Sequence, residues 1–216
     1  MQLKKRPYPE RRVKQARPSP SFHSGARLDF RGLRCGPLVL HRIDEHNLPD
    51  VRLMFGGLPD SAYMLAELTA NYRPEYDDQR RQTVFGFYTT LRGELAGACL
   101  LGISSFTEAR GFTGADTLVH RRGQGIAPAC KPALFYLGFA LLGLNRIETG
   151  CFTSNNASRR SLEKTPGLVY EGTLRKYARN AAGVFEDEHR FAIVRSDWIT
   201  LYGRTPIEVL PRNAAL

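Results

Sequence analysis

Six consecutive residues, Arg122-Gly123-Gln124-Gly125-Ile126-Ala127, have the types and spacing to hold an anion. They lie between a strand-like run, Ala115 to Val119, and a long apolar run, Ile126 to Leu144. A glycine-spaced turn that opens a helix leaves several N–H groups unpaired and pointing one way, and the helix dipole adds partial positive charge there. Phosphate and pyrophosphate suit such a turn. Glycine lets the backbone approach the anion closely and take up positive φ. Two nucleotide-binding fingerprints are excluded. No Gly-Lys-Ser/Thr closes the turn, and Pro128 stands where a Gly-x-Gly-x-x-Gly motif needs its third glycine.

Other reactive types are scattered. Cys35, Cys99, Cys130 and Cys151 form no CxxC pair and no Cys/His cluster, so no metal site is expected. They read as reduced, mostly buried thiols of a cytoplasmic protein. His120 beside the turn could meet a phosphate but reads first as an exposed loop histidine, and His189 reads as structural or surface-exposed. Phe135, Tyr136 and Phe139 read as core, and Trp198 as packing.

The elements that must position the turn can be read from pattern. The 216-residue chain is 42% hydrophobic and 24% charged, which suits one globular domain with a modest appendage. No apolar stretch reaches the roughly 20 residues of a membrane-spanning helix. The net charge is +10, and residues 1–28 hold eight basic residues against Glu10. Residues 1–27 are therefore expected to be a basic, flexible tail able to touch a polyanion such as ribosomal RNA. Residues 28–202 form the expected domain, and 203–216 a loose end.

The first strand is expected at Pro37–Ile43, then a short helix to Phe55 and a second helix at Ser61–Tyr72 capped by Ser61. Thr83–Leu91 and Leu95–Ser104 read as a hairpin around Arg92-Gly93-Glu94, followed by a strand at Phe112–His120. A helix over Ile126–Leu142 stops at Gly143. A strand at Asn145–Phe152, a helix from Ser154 or Asn155 to Lys164, and a hairpin over Val169–Arg195 complete the order βααβββαβαββ. That order is an α/β fold: one mixed, mostly antiparallel sheet with helices on both faces.

This order, the Arg-Gly-Gln-Gly-Ile-Ala turn, the helix start Asn155-Asn156-Ala157-Ser158 running to Leu162-Glu163-Lys164, and Glu171-Gly172 resemble the GNAT superfamily of acyl-CoA N-acyltransferases. The resemblance covers about residues 36–200 and is nearest the Rim-type branch, the ribosomal-protein N-terminal acetyltransferases and their relatives. It implies an N-acetyltransferase with acetyl-CoA as co-substrate. The amides of Gly123, Gln124, Gly125, Ile126 and Ala127 are then expected to cradle the pyrophosphate, with Arg122 adding charge. The pantetheine arm is expected to pair with the strand around Leu118 and Val119, whose end also supplies the oxyanion donor. Asn155 is expected to bond the pantetheine, and Ser158 to sit near the sulfur as acid.

The amine must lose a proton before it attacks, and Asp116, Glu148 and Glu171 are the candidate bases. Departures from the family pattern are Leu162 where many members carry an acidic-role tyrosine, and Thr165-Pro166-Gly167-Leu168 where the usual turn is shorter. Pro132 falls inside the pyrophosphate helix and is expected to bend it.

The acceptor is open at this level: a protein N-terminus or a small amine, with the basic charge weighing mildly against a cationic one. The competing readings are a ribosome- or RNA-binding protein on a degenerate GNAT scaffold, and an acetyltransferase acting on aminoacyl-tRNA.

Overall fold

The computed structural model describes residues 28–58, 62–78, 81–180 and 182–212, the side chains of Tyr63 and Thr69 aside. The expected tail and the Ser61 cap lie outside them. Strands β1 (Phe30–Cys35), β2 (Leu38–Arg42), β3 (Glu75–Tyr76), β4 (Gln82–Leu91), β5 (Glu94–Ser105), β6 (Arg110–Thr117), β7 (Arg146–Phe152), β8 (Val169–Arg179), β9 (Phe185–Val194) and β10 (Glu208–Pro211) form one sheet. Its order is β10-β1-β2-β4-β5-β6-β7-β9-β8, with β3 paired to β4. The helices are α1 (Leu48–Gly56), α2 (Ala62–Ala70), α3 (Ile126–Tyr136), α4 (Asn156–Glu163) and α5 (Arg195–Tyr202).

Local chemistry explains the elements that matter. β5 is buried along nearly its whole length, as a strand covered on both faces must be. Its hairpin with β4 turns at Arg92 and Gly93, both at positive φ, the turn whose twist matches paired strands. Asn155 caps α4 by accepting from the Ser158 amide. The sheet separates two apolar cores. One packs α3 and α5 against Leu33, Leu40, Phe87, Leu101 and Ile147; the other packs α1 and α2 against Ile43, Ala98, Leu100 and Leu118.

Three expectations are corrected. β1 precedes the first strand expected, and β10 follows the expected domain: residues 203–212 are not loose, because Glu208–Pro211 pairs antiparallel with β1. The strand expected to run to His120 stops at Thr117, and Val119–Arg121 is a 3-10 turn. The long helix is α-helical only to Tyr136 and continues over Leu137–Leu141 as a wider π turn, where Gly138 lies against Ile147. Trp198 lies on α5, past the end of β9, and stacks on Phe139.

Gly86 on β4 is where α2 reaches the sheet: a side chain there would strike the Tyr72 carbonyl. Gly86→Ala should therefore destabilise the fold by roughly 1–3 kcal/mol, as overpacking does. Urea denaturation checks this; an unchanged midpoint would mean that the α2 end yields freely.

Candidate functional site

β6 and β7 run parallel and pair over only three positions, Arg110↔Arg146, Gly111↔Ile147 and Phe112↔Glu148. Beyond them the strands part. β6 stays bonded to β5 as far as Thr117, and β7 stays bonded to β9 as far as Phe152. The amide of Leu118 donates to Ala96 O, so strand alternation turns the main-chain groups of Thr113, Ala115 and Thr117 toward the gap. Thr113 O is taken by the Thr149 hydroxyl at 3.0 Å. Ala115 and Thr117 leave an unpaired strand edge of the kind an extended ligand can pair with. Leu118 and Val119, expected in that role, do not fit it. Leu118 spends its amide on β5 and buries its side chain in the α1/α2 core, and Val119 begins the 3-10 turn.

The glycine turn lies just after this edge. Gly123 (φ +78°) and Gly125 (φ +73°) both take the left-handed conformation, and nothing lies near where their side chains would be. Gly125 is the N-cap of α3, and among the described residues no backbone hydrogen bond uses the amides of Gly123, Gly125, Ile126 or Ala127. Gln124 donates weakly to Arg121 O at 3.4 Å. Arg122 through Gly125 are exposed, and Arg121 is fixed to Glu94 by an ion pair. The exposed amides at a helix start make an anion cradle.

On the α2 face, Glu67, Asn71, Tyr72, Glu75, Phe112, Gly114 and Asp116 line a hollow of about 270 Å³. Tyr72 donates to Asp116 Oδ2 at 2.6 Å. Burial, then the Asp116 charge, push the Tyr72 phenol well above its ordinary value, so it stays a proton donor. Gly114 and Asp116 belong to β6, so hollow and gap share a strand.

The other expected catalytic residues are engaged elsewhere. Arg146 Nε bonds Glu148 at 3.0 Å, and its terminal nitrogens clasp Glu171. The Arg146 hydrogen bond holds the Glu171 carboxyl below its usual range, which weakens it as a base. Ser158 gives its backbone amide to the Asn155 side-chain oxygen, which is used in capping α4, and its side chain neighbours the Cys151 thiol.

Two groups escaped the sequence reading. Tyr72 finds its partner 44 residues away, with no local signal. Lys131 on α3 is 3% exposed and donates to Thr113 Oγ1 at 2.8 Å and Thr149 Oγ1 at 3.2 Å, where the strands part. A lone lysine in an apolar helical run was the available signal. Burial lowers its pKa from 10.5 to about 8.

No protein-family model matches the chain, and no curated protein matches it by sequence. Solved structures do. A "putative acetyltransferase" from T. thermophilus aligns over 81% of this chain and 95% of its own at 20% identity, TM-score 0.61. Another "putative acetyltransferase" gives 81%, 92%, 19% and 0.62. The spermidine/spermine N-acetyltransferase SpeG from Vibrio cholerae gives 76%, 96%, 19% and 0.57. The chain has a GNAT-like fold. In this chain the parallel pair β6 and β7 parts near the glycine-opened helix α3. Among the described residues no helix is long and apolar enough to cross a membrane.

The Lys131 ammonium has a stability consequence. Its folded pKa lies below its unfolded one, so between pH 8 and 10.5 the unfolded chain binds the extra proton and stability rises with pH. Below that window the fold carries the full cost of the buried cation. Lys131→Met should remove this rise and stabilise the protein at pH 7, on the order of 1–3 kcal/mol. Denaturant titrations across the pH range read both effects; a parallel pH dependence in the two proteins would contradict the buried cation.

Proposed function

We propose that this protein is an acetyl-CoA-dependent N-acetyltransferase acting on a cationic amine. The observation that carries the reading is the parting of β6 and β7 together with the glycine turn that follows β6 in the chain and opens α3. The pyrophosphate fits the amides of Gly123, Gln124, Gly125, Ile126 and Ala127, with Arg122 at its edge. The peptide-like pantetheine fits the strand edge at Ala115 and Thr117, which leads the thioester into the gap.

The hollow supports the acceptor class. Glu67, Glu75 and Asp116 line it and, among the described residues, no basic residue does, although Arg73 ion-pairs with Glu75 and the chain carries net +10. An ammonium group is drawn there, against the mild expectation from total charge. Asp116 is the carboxylate on the gap strand and is the proposed base; it takes the proton as the amine becomes a nucleophile, directly or through water. Tyr72 fixes its orientation. The spermidine/spermine specificity of SpeG makes polyamines the first amines to try, and a protein N-terminus carries the same ammonium chemistry. The Rim-type placement rests on the sequence resemblance.

The donor assignment is tested by calorimetry with acetyl-CoA. Gly125→Glu puts charge and bulk against the pyrophosphate and should abolish binding; full affinity in the folded variant would remove the turn from the site. The acceptor side is tested by release of free CoA thiol over a panel of amines. Asp116→Asn should lower kcat roughly 10²–10⁴-fold with acetyl-CoA affinity retained. A variant as fast as the parent would rule Asp116 out.

A further inference from the structure

Transfer to an outside amine leaves one buried nucleophile without a role. Lys131 reaches from α3 to the point where β6 and β7 part, and its Nζ sits between Thr113 and Thr149. These are the first residues beyond the last paired positions, Phe112 and Glu148. The nitrogen therefore stands at the inner end of the gap. Among the described residues no carboxylate pairs with it; the titratable groups facing it are the Cys99 thiol from β5 and its helix neighbour Cys130.

An ammonium has three donors, and two threonine oxygens satisfy two of them. The neutral amine fits the same place better: its two N–H bonds serve Thr113 and Thr149, and its lone pair remains for an electrophile. A desolvated lysine is activated as a nucleophile in this way. The Thr149 hydroxyl is itself fixed by donating to Thr113 O, so the amine is held by an oriented frame.

We propose that Lys131 is an internal acyl acceptor, taking the acetyl group of a thioester held in the gap to give an N-acetyl-lysine inside the sheet. The proposal rests on the reading that the gap binds acetyl-CoA. The neutral Nζ attacks the thioester carbonyl carbon and forms a C–N bond. The C–S bond breaks, its electron pair leaves on sulfur, and the proton lost from nitrogen passes to that sulfur, giving free CoA thiol and an amide. The product is neutral and has one N–H where the amine had two, so one threonine contact is lost. The acetyl group fills the inner end of the gap, so each chain is labelled once and then carries a plug where the donor's acyl end lay.

Only three lysines follow residue 27, and the other two, Lys164 and Lys176, are exposed. They serve as internal controls. The full chain is incubated with acetyl-CoA and no added amine, digested, and read by mass spectrometry. Lys131 is followed by Pro132, which trypsin does not cut, so Cys130 and Lys131 share a peptide and fragmentation places the group. Hydroxylamine removes a thioester on Cys130 and leaves the amide.

The expected result is one hydroxylamine-resistant acetyl on Lys131, formed roughly tenfold or more faster than on Lys164 or Lys176. Its rate saturates with acetyl-CoA, falls when CoA is added, and rises with pH to a plateau above about 8. Chain unfolded in urea should lose the preference, and Lys131→Arg and Lys131→Met should lose the label. Calorimetry with CoA separates the failures. CoA binding without preferred labelling of Lys131 overturns this proposal alone; no CoA binding removes the donor site and this proposal together.

Discussion

The parting of β6 and β7 after three paired positions is the constraint on which the rest depends. A parallel ladder cut short inside a sheet leaves main-chain groups without partners, and such groups are costly when buried. The cost is limited here because each strand keeps its other neighbour: β6 holds to β5, and β7 to β9. The narrow end of the opening is closed by side chains, with Thr149 covering the Thr113 carbonyl and Lys131 bridging both hydroxyls. The wide end is left as an open edge at Ala115 and Thr117. The exposed amides of the turn that starts α3 follow it within a few residues of chain, so two unsatisfied backbone features are neighbours in sequence.

Charge is distributed against the overall balance of the molecule. The hollow over Gly114 and Asp116 is acidic in a strongly basic chain. The other two carboxylates that could have served it, Glu148 and Glu171, are neutralised by a single arginine, Arg146. Asp116 accepts a hydrogen bond from the Tyr72 phenol, which orients the carboxylate on the gap strand.

The sequence was most legible where the backbone demands a particular residue. Gly123 and Gly125 are both left-handed, Arg92-Gly93 makes the hairpin, and Asn155 caps α4; each signals itself within a few residues. Strand ends were harder. Leu118 and Val119 continue the apolar character of β6, yet the chain turns there because Leu118 belongs to the opposite core. β10 is a short edge strand ending in Pro, and β1, between it and β2, is interrupted by Arg and Gly; both have little alternation to read. Pairings such as Tyr72 with Asp116 are set by tertiary register alone. The three candidate carboxylates were identified as a group, but that Arg146 clasps Glu171 depends on the bulged pairing of β8, invisible in a single chain of letters.

The two apolar cores lie on opposite sides of the sheet, and their helices come from different stretches of chain: α1 and α2 before β4, and α3 and α5 after β6. On the proposed reading the donor side and the acceptor side can therefore drift at different rates: mutations in α1 and α2 would reshape the acceptor side while α3 and its turn stay as they are. For an engineer the same division marks a seam: α1, α2 and β3 are the segment to exchange when the proposed acceptor side is varied, anchored to the shared scaffold where the Tyr72 backbone meets Gly86.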